Sequence, residues 1–279
     1  MTKLKLALCQ MMVGADKKEN IEKASLMVQD AQKRGAELVV LPEMFNCPYQ
    51  TEMFPKYAEE EGGTSYQALS RMARENNVYL VGGSCPELDS GKVYNTSYVF
   101  SPSGELLAKH RKIHLFDIDI KGGQSFKESE TLSAGDTPTV FDTPWGKIGL
   151  LICFDLRFPE LSRLYAYAGA ELIIVPGAFN MTTGPLHWEL LFRSRALDNQ
   201  LYTVGVAPAR DESTSYISYA HSIVADPWGK IIHDSGTEEN ISLVELDLSL
   251  NKKVRAELPL LKSLRQDVYM LTQAPPHRR

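Results

Sequence analysis

Cys153 ends an apolar, β-like run over residues 148–152, and after a short turn Pro159 and Glu160 open a helical pattern. A thiol at such a strand-to-helix elbow meets backbone N–H groups and the positive end of the helix dipole, which favour a thiolate and an oxyanion. That is a nucleophile's position, although a cysteine taken alone is more often a packing residue. Two charged residues stand at comparable places. The apolar run 36–41 stops at Pro42 and presents Glu43. The cationic run 109–116 carries Lys112 between residues whose alternation points them to the opposite face. A carboxylate base, a cation and a thiol meeting at one sheet edge would make a centre for covalent nucleophilic chemistry. Read singly, Glu43 is a loop carboxylate and Lys112 is one more solvated charge.

The elements that must position these groups alternate along the chain. Residues 3–10 read as a strand. Residues 19–34 read as a helix with Ile21, Ala24, Met27, Val28 and Ala31 on one face, stopped by Gly35. A buried strand over 37–41, a helix over 65–76 and a strand over 78–84 follow. Two strands flank Pro102-Ser-Gly104, and a loop rich in Gly and Ser runs over 121–135. After the Cys153 elbow come a helix over 159–169, a strand over 172–175 and a helix over 187–199. Strands near 202–207, 218–225, 230–233 and 243–246 precede a last helix over 248–258. Asp142-Thr-Pro-Trp-Gly146 and Asp226-Pro-Trp-Gly229 each sit between β-like runs as hairpin turns. No stretch reads as a linker, so one domain is expected over residues 1–272, with 273–279 a mobile tail unless docked. Pattern alone supports an α/β or α+β fold in which two packed sheets are covered outside by helices.

Bulk properties narrow the function classes. With 279 residues, 43% hydrophobic and 23% charged, the chain is an ordinary globular protein with room for a large core. A net charge of −5 disfavours a nucleic-acid partner, and an anionic ligand would have to be met by local cations. Cys9, Cys47, Cys85 and Cys153 show no C-x-x-C spacing, which fits free thiols in a reducing, cytoplasmic setting. Cys9 and Cys85 read as core, and Cys47 follows the Glu43 block closely. The N-terminal apolar run is short and broken by Lys5, so no export signal is expected. No stretch approaches the ~20 apolar residues that span a bilayer, so no membrane association is expected.

The segments Leu-Pro-Glu43-Met-Phe, His-Arg-Lys112-Ile-His-Leu-Phe and Leu-Ile-Cys153-Phe-Asp-Leu-Arg-Phe-Pro-Glu resemble, in order, the three signature blocks of the nitrilase superfamily of carbon–nitrogen hydrolases. The likeness runs from Leu6 to about Tyr269 and is strongest to the ω-amidase branch. It is carried also by the stretches 126–135, 176–189 and 193–199. The resemblance implies a four-layer α-β-β-α sandwich, with Glu43, Lys112 and Cys153 catalytic and Glu128 an accessory second glutamate. It implies assembly as a homodimer or larger homo-oligomer.

The resemblance also implies a chemistry that needs no cofactor. Cys153 would attack an amide carbon while Glu43 takes its proton, and Lys112 with the Phe154 N–H would hold the oxyanion. Glu43 would then activate water against the thioester. The ω-amidase branch implies small-molecule substrates, the monoamides of dicarboxylic acids such as α-ketoglutaramate and α-ketosuccinamate. Arg157 is the first candidate for the distal carboxylate, with an ion pair to Asp155 or Glu160 as the alternative. Tyr49, Phe116 and Phe179 are expected to wall the pocket, and Asn180, Thr182 and Thr183 to supply polar contacts.

Other enzyme classes fit these residues less well. His110 and His114 are four apart, a spacing that suits a helical metal pair, but their run is strand-like and no HExxH accompanies them, so no metal is expected. There is no G-x-S-x-G elbow, P-loop or Rossmann fingerprint. Within the superfamily the alternatives are an amidase for deaminated glutathione and an N-carbamoyl amine amidohydrolase. A non-catalytic interaction protein on the same fold would gain nothing from a thiol beside two charges.

Overall fold

Strand β1 (Lys3–Gln10) shows why the chain forms layers. Its Leu4, Leu6 and Leu8 turn to one face and Ala7 and Cys9 to the other, and all five are fully buried. Such a strand needs a covering layer on each side. The structure, a computed structural model, describes residues 2–119 and 125–274. After β1 come α1 (Lys17–Lys33), β2 (Leu38–Val40), α2 (Phe54–Tyr57), α3 (Thr64–Asn76), β3 (Tyr79–Val81), β4 (Cys85–Asp89), β5 (Lys92–Phe100) and β6 (Leu106–Arg111). A small ribbon, β7 (Asp117–Asp119) and β8 (Ser125–Lys127), leads into the second half. That half supplies β9 (Thr139–Thr143), β10 (Gly146–Leu150), α4 (Pro159–Tyr167), β11 (Ala170–Pro176) and α5 (Gly184–Asn199). It closes with β12 (Tyr202–Val206), β13 (Ile223–Ala225), β14 (Ile231–Asp234), β15 (Asn240–Asp247) and α6 (Ser249–Glu257).

The first sheet runs β15-β1-β2-β3-β5-β4 with β6 along the other edge of β5, and the second runs β14-β13-β12-β11-β10-β9. Leu6, Leu8, Val40 and Val81 of one sheet pack on Ile148, Leu172, Ile174 and Val204 of the other. The outer face of the first sheet is covered by Ala24, Val28, Leu69 and Met72 from α1 and α3. That of the second is covered by Tyr165, Trp188 and Phe192 from α4 and α5. The fold is therefore an α-β-β-α sandwich. Each sheet has a parallel centre, β1-β2-β3 and β10-β11-β12. The carboxyl ends of such strands are where open α/β sheets place ligands, and Glu43, Cys153 and Ala178 follow β2, β10 and β11.

Several elements depart from the sequence expectation. The run 78–84 pairs only over Tyr79–Val81, and a separate strand, β4, begins at Cys85. Pro86 and the carboxylates of Glu87 and Asp89 hide β4 from any apolar pattern. The expected strand over 218–225 is cut to Ile223–Ala225 because Ala220 and His221 take left-handed backbone, φ 61° and 57°. Helix α5 starts at Gly184, with Pro185 in its first turn, rather than at residue 187. The loop expected at 121–135 contains β8 and a 3₁₀ turn, Glu128–Glu130; its residues 121–124 lie outside the described residues. Of the tail, Gln273 and Ala274 flank a surface groove beside Phe158 and Leu161, and 275–279 lie outside the described residues. Among the described residues, no helix is long and apolar enough to cross a membrane.

Candidate active site

Glu43 is delivered by a loop pinned by the short segment between β3 and β4. Ser84 receives the Met44 N–H on its hydroxyl at 3.0 Å and the Phe45 N–H on its carbonyl at 3.1 Å, and donates its own N–H to Pro42 O at 3.2 Å. Gly83 makes this approach possible: its φ is +59°, and a Cβ there would lie 2.0 Å from the Pro42 carbonyl oxygen. The carboxylate of Glu43 is thereby turned into the interior, with no exposed surface.

Cys153 sits on a sharp elbow between β10 and α4. Its φ is +45°, unusual for a non-glycine residue, and residues Cys153–Arg157 form one 3₁₀ turn. Asp155 closes that turn by accepting the Ile152 N–H at 3.1 Å, a reach from the third turn position back to the cap. Gly177, at the end of β11, brings the next strand close; a Cβ there would stand 3.4 Å from Cys153 Cα. Lys112 directly follows β6, its N–H bonded to Asn95 O at 2.8 Å.

These groups converge. Lys112 Nζ lies 3.0 Å from Glu43 Oε1 and 2.8 Å from Glu128 Oε1, and all three side chains are fully buried. Glu43 also accepts from Asn95 Nδ2 at 2.9 Å and the Ala178 N–H at 2.7 Å, and Tyr49 Oη stands 3.2 Å away. Glu128 accepts from Tyr49 Oη at 2.8 Å and from the Phe116 N–H at 2.7 Å. One ammonium between two buried carboxylates is thus embedded in neutral donors that satisfy the remaining lone pairs, as burial of charge requires.

The electrostatics follow from this packing. Burial pulls the Lys112 ammonium toward neutrality, but Glu128 and Glu43 outweigh it and hold the pKa above its ordinary value. Burial, with the nearby Glu43 charge, raises Glu128 despite the pull of Lys112. The Cys153 thiol is pushed well above its usual range, first by burial and then by the Glu43 charge, with Lys112 opposing. Cys153 therefore rests as a thiol, and a nucleophilic step needs a base at hand.

Cys153 lines a small hollow of about 170 Å³ with Phe116, Phe154, Arg157, Phe179 and Thr183. Across Ala178 and Tyr216 it adjoins a wider hollow that reaches Glu43, Cys47 and Tyr49. Arg157 donates to His187 Nδ1 at 3.0 Å, and its guanidinium lies 4.6 Å from the centre of the Phe179 ring and 5.5 Å from that of Phe154. It forms no salt bridge among the described residues, so the ion pair with Asp155 or Glu160 is not made; Asp155 is taken by His110 and His114. Those two imidazoles, spaced like a metal pair, instead share one carboxylate.

The other expected pocket residues divide. Thr183 reaches the hollow, whereas Thr182 is exposed. Asn180 Oδ1 accepts the N–H groups of Thr182 and Thr183 at 3.1 and 2.9 Å, shaping the turn into α5. Tyr49 enters through its hydroxyl as much as its ring. Asn95, Tyr216, His187 and the Ala178 N–H escaped the sequence reading, since a lone Asn in a strand or a backbone N–H carries no pattern.

Twin sheets with a buried thiol, ammonium and paired carboxylates at their strand ends define a hydrolase of the carbon–nitrogen type. The chain belongs to the carbon–nitrogen hydrolase family, whose profile matches residues 5–256, within the nitrilase superfamily. It is 51% identical to omega-amidase NIT2 of Mus musculus over 99% of this chain and 100% of that one, and 49% identical to omega-amidase NIT2 of Homo sapiens over the same shares. Among solved structures it is similar to Saccharomyces cerevisiae Nit3, a member of branch 10 of the nitrilase superfamily, with TM-score 0.88 and 46% identity, covering 95% of this chain and 97% of that one. It also matches the C. elegans NitFhit protein, with TM-score 0.87 and 33% identity over 97% of this chain and 67% of the other.

Proposed function

We propose that this hydrolase is an ω-amidase, converting monoamides of small dicarboxylic acids, α-ketoglutaramate and α-ketosuccinamate, to the dicarboxylate and ammonia. The omega-amidases it resembles over nearly full length support this reading. The observation within the molecule that carries it is Arg157. This half-buried guanidinium faces the Cys153 hollow without a carboxylate of its own among the described residues. A substrate carboxylate would complete it with charge-assisted hydrogen bonds.

In this mechanism Cys153 Sγ attacks the amide carbon and Glu43 takes the thiol proton. The oxyanion is held by Lys112 Nζ and the Phe154 N–H. Glu43 returns the proton to nitrogen, the C–N bond breaks and ammonia leaves a thioester. Water then attacks the thioester with Glu43 as base, and the thiol departs with the proton. Glu128 fixes Lys112 and keeps its charge matched, and Tyr49 ties the two carboxylates together. Phe116 and Phe179 wall the acyl chain, with Thr183 at its side. Asn180 and Thr182 shape the same loop.

The active unit is a single domain over 1–272 without cofactor. It works as a cytoplasmic homodimer or larger homo-oligomer, a reading supported by four buried free thiols and by Leu186 and Leu190, 71% and 60% exposed along α5. The test is ammonia release from α-ketoglutaramate, with Cys153→Ala run beside it. Release that vanishes in the variant is expected; a folded wild type that releases none would discard the substrate assignment.

A further inference from the structure

Lys112 is flanked at two residues on either side by His110 and His114, and both imidazoles end on Asp155, two residues beyond Cys153. His110 Nε2 lies 3.1 Å from Asp155 Oδ2, His114 Nδ1 2.8 Å from Oδ1, and the His114 N–H 2.9 Å from the same oxygen. The Ile152 N–H, next to Cys153, completes the set on Oδ2. One fully buried carboxylate thus binds both sides of the segment that carries Lys112 and closes the turn that carries Cys153. The far side of the clamp is equally fixed: His110 Nδ1 lies 3.0 Å from Thr139 Oγ1, and the His114 ring stacks on Phe158 with centroids 3.6 Å apart.

Ring contacts, His114 on Phe158 and Phe116 on Phe154, join the same two segments, but Asp155 joins them through hydrogen bonds to both imidazoles. Lys112 is otherwise held by Asn95 and Glu43 on the side of the first sheet and by Glu128 from the 3₁₀ turn after β8, and Cys153 from the second sheet, by Gly177 and the elbow. The left-handed φ of Cys153 is a conformation that surrounding structure must hold, and the Ile152 N–H bond to Asp155 spans that residue and closes the turn around it.

We infer that Asp155 is a positioning residue that sets the separation between the Cys153 sulfur and the Lys112 ammonium, and so acts on the transition state rather than on substrate binding. This rests on the catalytic roles proposed above for Cys153 and Lys112. The carboxylate touches neither substrate nor reacting atoms. Its contribution is the fixed distance between nucleophile and oxyanion donor, and a misplacement of about 1 Å costs on the order of 10²-fold in rate.

The decisive experiment compares steady-state ammonia release by wild type, Asp155→Asn, His110→Gln and the double variant, with rates expressed per titrated Cys153 thiol. Asparagine keeps the size of the side chain but turns an NH2 toward groups that donate. The expected result is a fall in kcat of about 10²-fold for Asp155→Asn with KM nearly unchanged. A smaller fall is expected for His110→Gln. The double variant should be no worse than Asp155→Asn alone, because both act through one clamp. Unchanged kcat per titrated site, a loss confined to KM, or strictly additive losses would overturn the inference. Should Asp155→Asn fail to fold, His110→Gln and His114→Gln carry the same test, with non-additive kcat losses expected and additive ones overturning it. Cys153→Ala and Lys112→Met run alongside separate the two levels. If either stays active, the catalytic assignment itself fails; if both are dead while the clamp variants match wild type, only the role of Asp155 falls.

Discussion

The hydroxyl of Tyr49 donates to Glu128 at 2.8 Å, and the same oxygen stands 3.2 Å from Glu43, so one neutral group spans both carboxylates of the site. Burial, then the charges of Glu128 and Glu43, drive the pKa of this phenol well above its usual value, which keeps it a donor at every working pH. Tyr49→Phe preserves the ring contacts with Phe54, Phe126 and Tyr216 while removing that donor. A hydrogen bond to a buried charge is worth about 1.5–3 kcal/mol. Chemical denaturation should show a loss of that order, together with a reduced kcat; an unchanged midpoint and rate would show that the bridge carries nothing.

Lys112→Met removes the only ammonium between Glu43 and Glu128 among the described residues. Loss of an oxyanion donor costs about 10²–10³ in turnover, so ammonia release should nearly disappear. Circular dichroism should report an intact fold. An active Lys112→Met enzyme would sink the oxyanion role.

Arg157→Lys keeps the charge but loses the planar fork and the stack on Phe179. With one charge-assisted hydrogen bond lost, at ~1.5–3 kcal/mol, KM for α-ketoglutaramate should rise by about 10–10²-fold. A neutral amide of the same length should be spared. Equal effects on both substrates would remove Arg157 from carboxylate recognition.

Asp155 ties stability to pH. Burial raises its pKa, but hydrogen bonds from His110 and His114 outweigh burial and hold the folded-state value below the ordinary carboxylate range. The unfolded chain then binds the proton more readily, so this group stabilises the fold above the unfolded pKa of ~3.9. Its contribution is lost as pH falls from there toward the depressed folded value. The stability gap between wild type and Asp155→Asn, measured by urea denaturation, should be widest near neutrality and narrow as pH drops below about 4. A gap that stays constant or widens in acid would contradict the depressed pKa.

Much of this site is legible in the chain because its parts are local. The apolar runs that lead to Glu43 and Cys153 and the alternating run that carries Lys112 are visible in the sequence, and those three residues are the ones brought together. The two-faced burial of β1, β2 and β11 likewise follows from runs too apolar for a half-exposed sheet. What periodicity cannot convey is a short edge strand such as β4, whose Pro86 and acidic residues break every apolar rule yet pair residue for residue with β5.

Partnerships across the sandwich were decided only by the tertiary structure. Sequence places Asp155, Arg157 and Glu160 within six positions, which invites a local ion pair. The 3₁₀ turn places residues about 120° apart, so side chains two positions apart leave on different sides. Asp155 is thereby turned to two histidines 41 and 45 residues earlier, His110 in β6 and His114 just beyond it, and Arg157 is left facing the hollow beside Cys153. Residue types and motif order by themselves determined that a thiol, a carboxylate and an ammonium are present at strand ends. Which carboxylate meets which cation depends on side-chain direction and on the register between two separate sheets, and no local spacing encodes either.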